Sequence, residues 1–219
     1  MPIAELATIP LKAGTNIVDQ SSQTGGAFKS AVIDVVSKQE GFQTLFYGRE
    51  VESPDVAQLI VNWESLEAHQ KFMKVPAYQP MVEKLTALMD GGLSMTHFDF
   101  PSSAAQAIPL SAPVTEMATF YVNFEDKASY QSIIEKFSSS ISEFKPVGFL
   151  GVASGWSLED VEHEGLGAGK QGKAILLILG WQSVDAHKAY NETDHFKDAI
   201  KQLGTAKGFT LHHTSFKGM

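Results

Sequence analysis

Apolar residues along the chain fall into two kinds of pattern, and each kind occurs twice. Phe28, Ala31, Val32, Val35 and Val36 follow the i, i+3, i+4, i+7, i+8 spacing that gives a helix one apolar face. Tyr130, Ile133, Ile134, Phe137, Ile141 and Phe144 do the same further on. Gly41 ends the first pattern, and Pro146 with Gly148 ends the second. Short runs rich in β-branched and aromatic residues predict strands at 4–11, 44–51, 56–63 and 93–100, and again at 115–122, 149–158, 174–181 and 209–216. The turn at 52–55, Glu-Ser-Pro-Asp, joins the middle two strands of the first set as a hairpin. Ser65 and Ser183 stand directly before further helical patterns, with Glu67 and Asp185 in the first turns, the arrangement of an N-cap backed by the positive helix end. Pro76 and Pro80 predict a break near Pro76, after which Met81, Leu85, Leu88 and Met89 point inward.

The doubling extends to residue identity. The stretch 59–85 returns as 177–203 at a single offset: Trp63 recurs as Trp181, Ser65 as Ser183, Ala68 as Ala186, His69 as His187, Tyr78 as Phe196 and Leu85 as Leu203. Glu5 on the first strand corresponds to Glu116. Each half therefore reads β-α-β-β-α-β, the ferredoxin-like order of an antiparallel sheet with both helices on one face. Two such units can hide their bare sheet faces against each other. The expected fold is α+β, two ferredoxin-like repeats forming an intrachain dimeric α/β barrel, or pseudo-dimer. The expected boundaries are residues 1–100 for the first repeat, 101–113 for a linker poor in charge and rich in Ala, Ser and Pro, and 114–219 for the second repeat. The second hairpin carries an insertion, EDVEHEGLGAGKQGK, which reads as a flexible loop or a lid, with His163 in solvent.

Composition narrows the partners. With 43% hydrophobic and 19% charged residues the chain is a folded protein, and its formal charge of −8 without a basic cluster argues against nucleic acid and anionic membranes. The longest apolar run, residues 174–179, is far shorter than the roughly 20 residues a membrane-spanning helix needs, and the N-terminus lacks a basic segment followed by an apolar block. The reading is a cytoplasmic protein, either a monomeric pseudo-dimer or a homodimer. Zero cysteines exclude thiolate nucleophiles and Cys-ligated metals.

The arrangement W-x-S-x-[ED]-A-H-x-x-[FY], present twice, together with the strand and helix order, resembles the dimeric α/β-barrel superfamily. Within it, TEMATFYV, YGREVESPD and VNWESLEAH are similar to fungal tandem proteins of the antibiotic-biosynthesis-monooxygenase type. The resemblance covers nearly the whole chain. It implies a cofactor-independent enzyme on an aromatic or polyketide-like small molecule, foremost a monooxygenase. The same superfamily contains polyketide cyclases, isomerases and stress-response proteins of ligand-binding type, so these readings stay open. Haem-degrading members place an iron-ligating His where this chain has Val82 and Ile200, which speaks against haem. Cyclising members pair a Tyr with a His, for which the second half offers Tyr190 and His195, one residue out of register.

The candidate catalytic residues are therefore His69, His187, Tyr190 and His195. A neutral imidazole can accept a phenolic proton near neutral pH, and both His69 and His187 share a helical face with apolar residues. Trp63, Trp181, Phe72 and Tyr78 are candidate substrate-binding aromatics, although a Trp at a strand end is as naturally a lid over the core. Tyr47 and Arg49, two apart on a strand, share one face and with Glu5 predict a buried polar cluster or a substrate clamp. His97 and His213, which correspond on the final strands, are further candidate substrate-binding residues; His212 faces away from His213, so those neighbours cannot hold one ion together. No local metal-binding pattern is present, and no cofactor is expected.

Overall fold

The computed structural model describes residues 1–219, apart from the side chain of Ser103. The chain divides into two compact units, one formed by 1–97 with 214–219 and the other by 98–213.

In the N-terminal unit, β1 (Ile3–Pro10) is followed by α1 (Gln23–Phe28), a π turn (Lys29–Ile33) and α2 (Asp34–Val36). Next come β2 (Phe42–Glu50), β3 (Val56–Trp63), α3 (Leu66–Phe72), α4 (Tyr78–Thr86) and β4 (Ser94–Asp99). β3 lies between β1 and β2, antiparallel to both, with Glu5 opposite Val61 and Leu45 opposite Val61 from the other side. β4 flanks β1, and residues 214–218 of the last strand pair with β2. Because strand side chains alternate, Ile3, Ala7, Ile9, Leu45, Tyr47, Leu59, Val61 and Trp63 all face the helices, where they meet Phe28, Val32, Val36, Phe72 and Leu85 in one core. Glu5 shares that parity. Residues of the opposite face, among them Ala4, Gln58, Ile60 and Asn62, are buried as well.

The C-terminal unit begins with α5 (Ser103–Leu110), capped by the Ser102 hydroxyl, which accepts from the Ala105 N–H. It continues with β5 (Val114–Val122), α6 (Lys127–Phe144), β6 (Phe149–Ser157), the short β7 (Val161–Glu162), β8 (Gln171–Trp181), α7 (Val184–Asn191), α8 (Asp194–Leu203) and β9 (Gly208–Gly218). β8 takes the central place that β3 has in the other unit, between β5 and β6. β9 flanks β5, and Phe98 and Asp99 at the end of β4 pair with Ser157 and Trp156. The fold class is α+β with two ferredoxin-like units, as the repeat leads one to expect.

The predicted N-caps are present: Ser65 Oγ accepts from Ala68 N–H at 3.2 Å and Ser183 Oγ from Ala186 N–H at 3.1 Å. The break near Pro76 falls between α3 and α4. Gly41 and Gly148 occupy matching places, both at positive φ (80° and 83°). A Cβ on either would lie 2.5 Å or 2.6 Å from the Cβ of Ala68 or Ala186, so only glycine lets these strands enter so close to the following helix.

Two expectations are corrected. The stretch expected as a linker holds α5, which packs on β6 and β8, and Gly151 and Gly180 give it room: a Cβ there would meet Ile108 or Pro109 at 2.9 Å. The stretch is a half-buried helix, with Gln106 and Leu110 inward and Ile108 exposed, not an extended tether. The insertion is likewise structured. β7 pairs with the start of β8, Leu166 is buried, and the His163 ring stacks on Tyr121 with centroids 4.0 Å apart, so His163 is not a solvent-surrounded side chain. Its Gly content serves close approaches: a Cβ on Gly165 would strike the Lys207 carbonyl.

Candidate active site

An acidic residue on the helix-facing side of a strand must find partners, and Glu5 and Glu116 find the same ones. In the N-terminal unit Trp63 Nε1–H donates to Glu5 Oε2 at 2.7 Å, and His69 Nε2 lies 3.4 Å from that oxygen. His69 Nδ1 sits 2.8 Å from His97 Nε2, one of the two carrying the hydrogen. The C-terminal unit repeats this arrangement: Trp181 Nε1–H donates to Glu116 Oε2 at 2.9 Å, His187 Nε2 lies 3.4 Å from it, and His187 Nδ1 lies 2.8 Å from His213 Nε2. In both, the imidazole stacks on the indole with centroids 5.2 Å apart. Four elements supply each set: the first strand the Glu, the end of the central strand the Trp, the capped helix one His and the final strand the other.

Burial pushes Glu5 up to about 6, opposed by the Trp63 N–H and by His97. Burial likewise pushes Glu116 up to about 7, opposed by the Trp181 N–H. A carboxyl poised near neutrality beside an imidazole can take up or release a proton at ordinary pH.

The two sets differ in what lies beside them. Glu116 and His187 line a cavity of about 400 Å³ whose other walls are mostly apolar, including Phe120, Phe137, Leu177, Phe196 and Leu203. Its rim is exposed and apolar: Ile200, Phe209 and Leu211 are 38%, 64% and 44% accessible. Glu116 meets both Trp181 and His187 through Oε2. Around Glu5 and His69 only about 50 Å³ is empty, because Met81, Leu85 and Met95 fill the space.

The other residues singled out from the sequence distribute unevenly. His97 and His213 belong to the two sets, and Phe72 stacks on Trp63 with Tyr78 edge-on to it. Trp63 and Trp181 are wholly buried and present an N–H to a carboxylate, so they position Glu5 and Glu116. Tyr47 and Arg49 do not join Glu5. The Tyr47 ring lies in the core and its hydroxyl accepts from the exposed Gln20 Nε2 at 2.7 Å, while Arg49 donates to the Thr15 carbonyl at 3.2 Å. Arg49 lines a surface cleft of about 580 Å³ with Asp19, Glu50 and Lys217; this cleft is the larger, yet it holds charges of both signs and none of the duplicated set. Tyr190 and His195 do come together, with Tyr190 Oη 3.0 Å from His195 Nδ1 and Ser140 Oγ 2.9 Å from His195 Nε2. They lie apart from the Glu116 cavity: Tyr190 borders a separate cleft of about 290 Å³, and burial raises its hydroxyl to about 12, with Glu116 adding to the rise.

The sequence reading made Glu5 a clamp or cluster partner and Glu116 only its counterpart in the repeat, and missed their pairing with the imidazoles. The available signal was an acidic residue at a core-facing position in two aligned strands. It also saw no carboxylate–His arrangement suited to a metal, whereas Glu116, His187 and His213 offer ligand atoms all within 4.8 Å of one another. The three come from β5, α7 and β9, so no local spacing could announce them.

The fold is that of an α+β protein of two ferredoxin-like units. A family model described as antibiotic biosynthesis monooxygenase matches residues 19–84. No curated protein matches the chain. Among solved structures, the chain is similar in fold to an anthrone oxidase-like protein, with 12% identity, coverage of 100% of this chain and 92% of that one, and a TM-score of 0.72. It is also similar to a candidate monooxygenase from Fusobacterium nucleatum subsp. nucleatum ATCC 25586, with 16% identity, 99% and 93% coverage and a TM-score of 0.64. A candidate monooxygenase from Lactobacillus acidophilus NCFM has 11% identity, 98% and 93% coverage and a TM-score of 0.61. Among the described residues no helix is long and apolar enough to cross a membrane.

Proposed function

We propose that the chain is a tandem enzyme of the antibiotic-biosynthesis-monooxygenase type, like the fungal proteins it resembles, and that its C-terminal unit oxidises an aromatic, polyketide-like molecule with O₂ and no resident cofactor. One observation carries this reading: the Glu116–His187 pair sits at the wall of an apolar cavity of about 400 Å³, whereas its twin has no such space. A cavity of that size suits a molecule of several fused rings. Phe120, Phe137, Phe196 and Phe209 supply aromatic walls, and the name of one fold neighbour, an anthrone oxidase-like protein, suggests the substrate class.

The chemistry follows from the site. An anthrone-type CH₂ flanked by two rings and a carbonyl is acidic enough to lose a proton to the carboxylate–imidazole set. The carbanion gives its electrons to O₂ and forms a C–O bond, and the removed proton returns to the distal oxygen as a hydroperoxide. Loss of the remaining C–H proton, with cleavage of the O–O bond, leaves a quinone carbonyl and one water. One oxygen atom ends in product and the other in water. The protein's share is to bind the rings, hold the base and exclude bulk water.

The test uses 1,8-dihydroxyanthrone with an oxygen electrode and absorbance at the quinone band. Turnover consumes one O₂ per quinone and releases no peroxide. Quinone formation at the rate of the enzyme-free control, or equal rates for wild type and Glu116→Gln, would sink the proposal. Turnover of a polyketide-like substrate without oxygen uptake would move the site to the cyclase or isomerase reading.

A further inference from the structure

We propose that Glu116, His187 and His213 form a binding site for one divalent transition-metal ion, a site that stands on its own geometry; because it shares Glu116 and His187 with the base proposed above, an ion held there blocks that oxidation, which belongs to the metal-free chain. The three side chains are buried, at 6%, 4% and 4% exposure, and among the described residues no other trio of His, Asp or Glu brings ligand atoms so close. Two imidazole nitrogens held by one ion at about 2.0–2.1 Å in neighbouring positions lie about 3 Å from each other. His187 Nδ1 and His213 Nε2 are already 2.8 Å apart. An ion bound by both lies to one side of the line that joins them and displaces the hydrogen they share, each ring turning to aim its lone pair at the ion, and that hydrogen moves to the far nitrogen of its own ring or to solvent. A swing of Glu116 toward the rings completes a set of two imidazoles and one carboxylate.

The surroundings favour such a site in three ways. Trp181 Nε1–H holds Glu116 Oε2 at 2.9 Å, the kind of outer hydrogen bond that steadies a ligating carboxylate. The stacked indole fixes the plane of the His187 ring. Glu116 and His187 also border the cavity, so an ion there keeps open positions for water or a small ligand. Imidazole and carboxylate together suit Zn²⁺, Co²⁺, Ni²⁺ or Fe²⁺ better than Ca²⁺ or Mg²⁺, which prefer all-oxygen shells. The N-terminal unit serves as the internal contrast. Glu5, His69 and His97 repeat the pairwise contacts, yet their ligand atoms do not meet the same limit and only about 50 Å³ lies beside them.

The experiment titrates the full, chelator-stripped chain with Co²⁺, followed by visible absorption, and with Zn²⁺, followed by calorimetry. One ion per chain is expected, with Zn²⁺ displacing Co²⁺. His213→Gln weakens binding by at least about tenfold, the low end for losing a group that supports a metal site. His97→Gln leaves binding unchanged. X-ray absorption of the Zn²⁺-loaded wild type reads the ligands even where a variant fails to fold, and two imidazoles in the shell are expected. Absence of binding in the wild type, equal binding by His213→Gln, or a zinc shell without two imidazoles would each overturn the site. None of these readouts involves turnover, so a failed oxidation and a failed metal site remain distinguishable.

Discussion

Trp181 and Glu116 come from strands paired side by side, and the indole N–H of one meets the carboxylate of the other at 2.9 Å in the interior. Trp63 and Glu5 repeat the contact at 2.7 Å. Each carboxylate is kept in an apolar setting by this donor and by an imidazole, so the Trp acts as an anchor first and as core second. Trp181→Phe keeps most of the packing and removes the donor. We expect a loss of about 1–3 kcal/mol, the usual cost of leaving a buried polar group without its partner, read by urea denaturation. Trp63→Phe should cost a similar amount and leave turnover as it was.

Only one of the two carboxylates borders usable space. Glu116→Gln should lower the oxidation of 1,8-dihydroxyanthrone by about 10²–10⁴-fold, the range ascribed to a positioned acid or base. Glu5→Gln, whose site leaves about 50 Å³ empty, should retain wild-type rates. Equal losses in the two variants, with both folded by circular dichroism, would contradict the assignment of the reaction to the C-terminal unit.

Glu5 links stability to pH. Its pKa is about 6 in the folded chain against an ordinary 4.5, so the native state holds the proton more tightly than the unfolded one. The stabilisation is fully present below pH 4.5 and is lost as pH rises through about 6. The shift corresponds to about 2 kcal/mol, to order of magnitude. His69 at 3.4 Å and His97 behind it face the carboxyl, and Trp63 donates to it. Glu5→Gln, which stays neutral, should flatten this part of the profile in denaturation series from pH 4 to pH 8. An unchanged slope would show that the carboxyl is not the group responsible.

Gly41 and Gly148 offer a check on the doubled architecture. Either glycine replaced by Ala takes on a positive φ and a Cβ clash with Ala68 or Ala186 at 2.5–2.6 Å. Each variant should lose about 1–3 kcal/mol, the cost of local backbone strain, read as a lower thermal midpoint. Pairing Gly41→Ala with Ala68→Gly removes the Cβ contact and should recover part of the loss.

Much of this protein was legible as text. The period of the apolar residues, Ser65 and Ser183 as caps, the break at Pro76 and the single-offset repeat determined two β-α-β-β-α-β units, because local propensity, alternation and capping act over a few residues and leave their mark in order. The helix at 103–110 was hidden because a short, charge-poor helix rich in Ala and carrying Pro109 has the composition of a linker. His69, His187, His97 and His213 were each visible as candidates; their union with Glu5 and Glu116 was not. Three-dimensional packing alone decided that union, since it joins residues from four elements through distances near 3 Å that no spacing encodes. It also decided which copy is hollow, because an empty volume is the sum of many side chains and belongs to none of them singly.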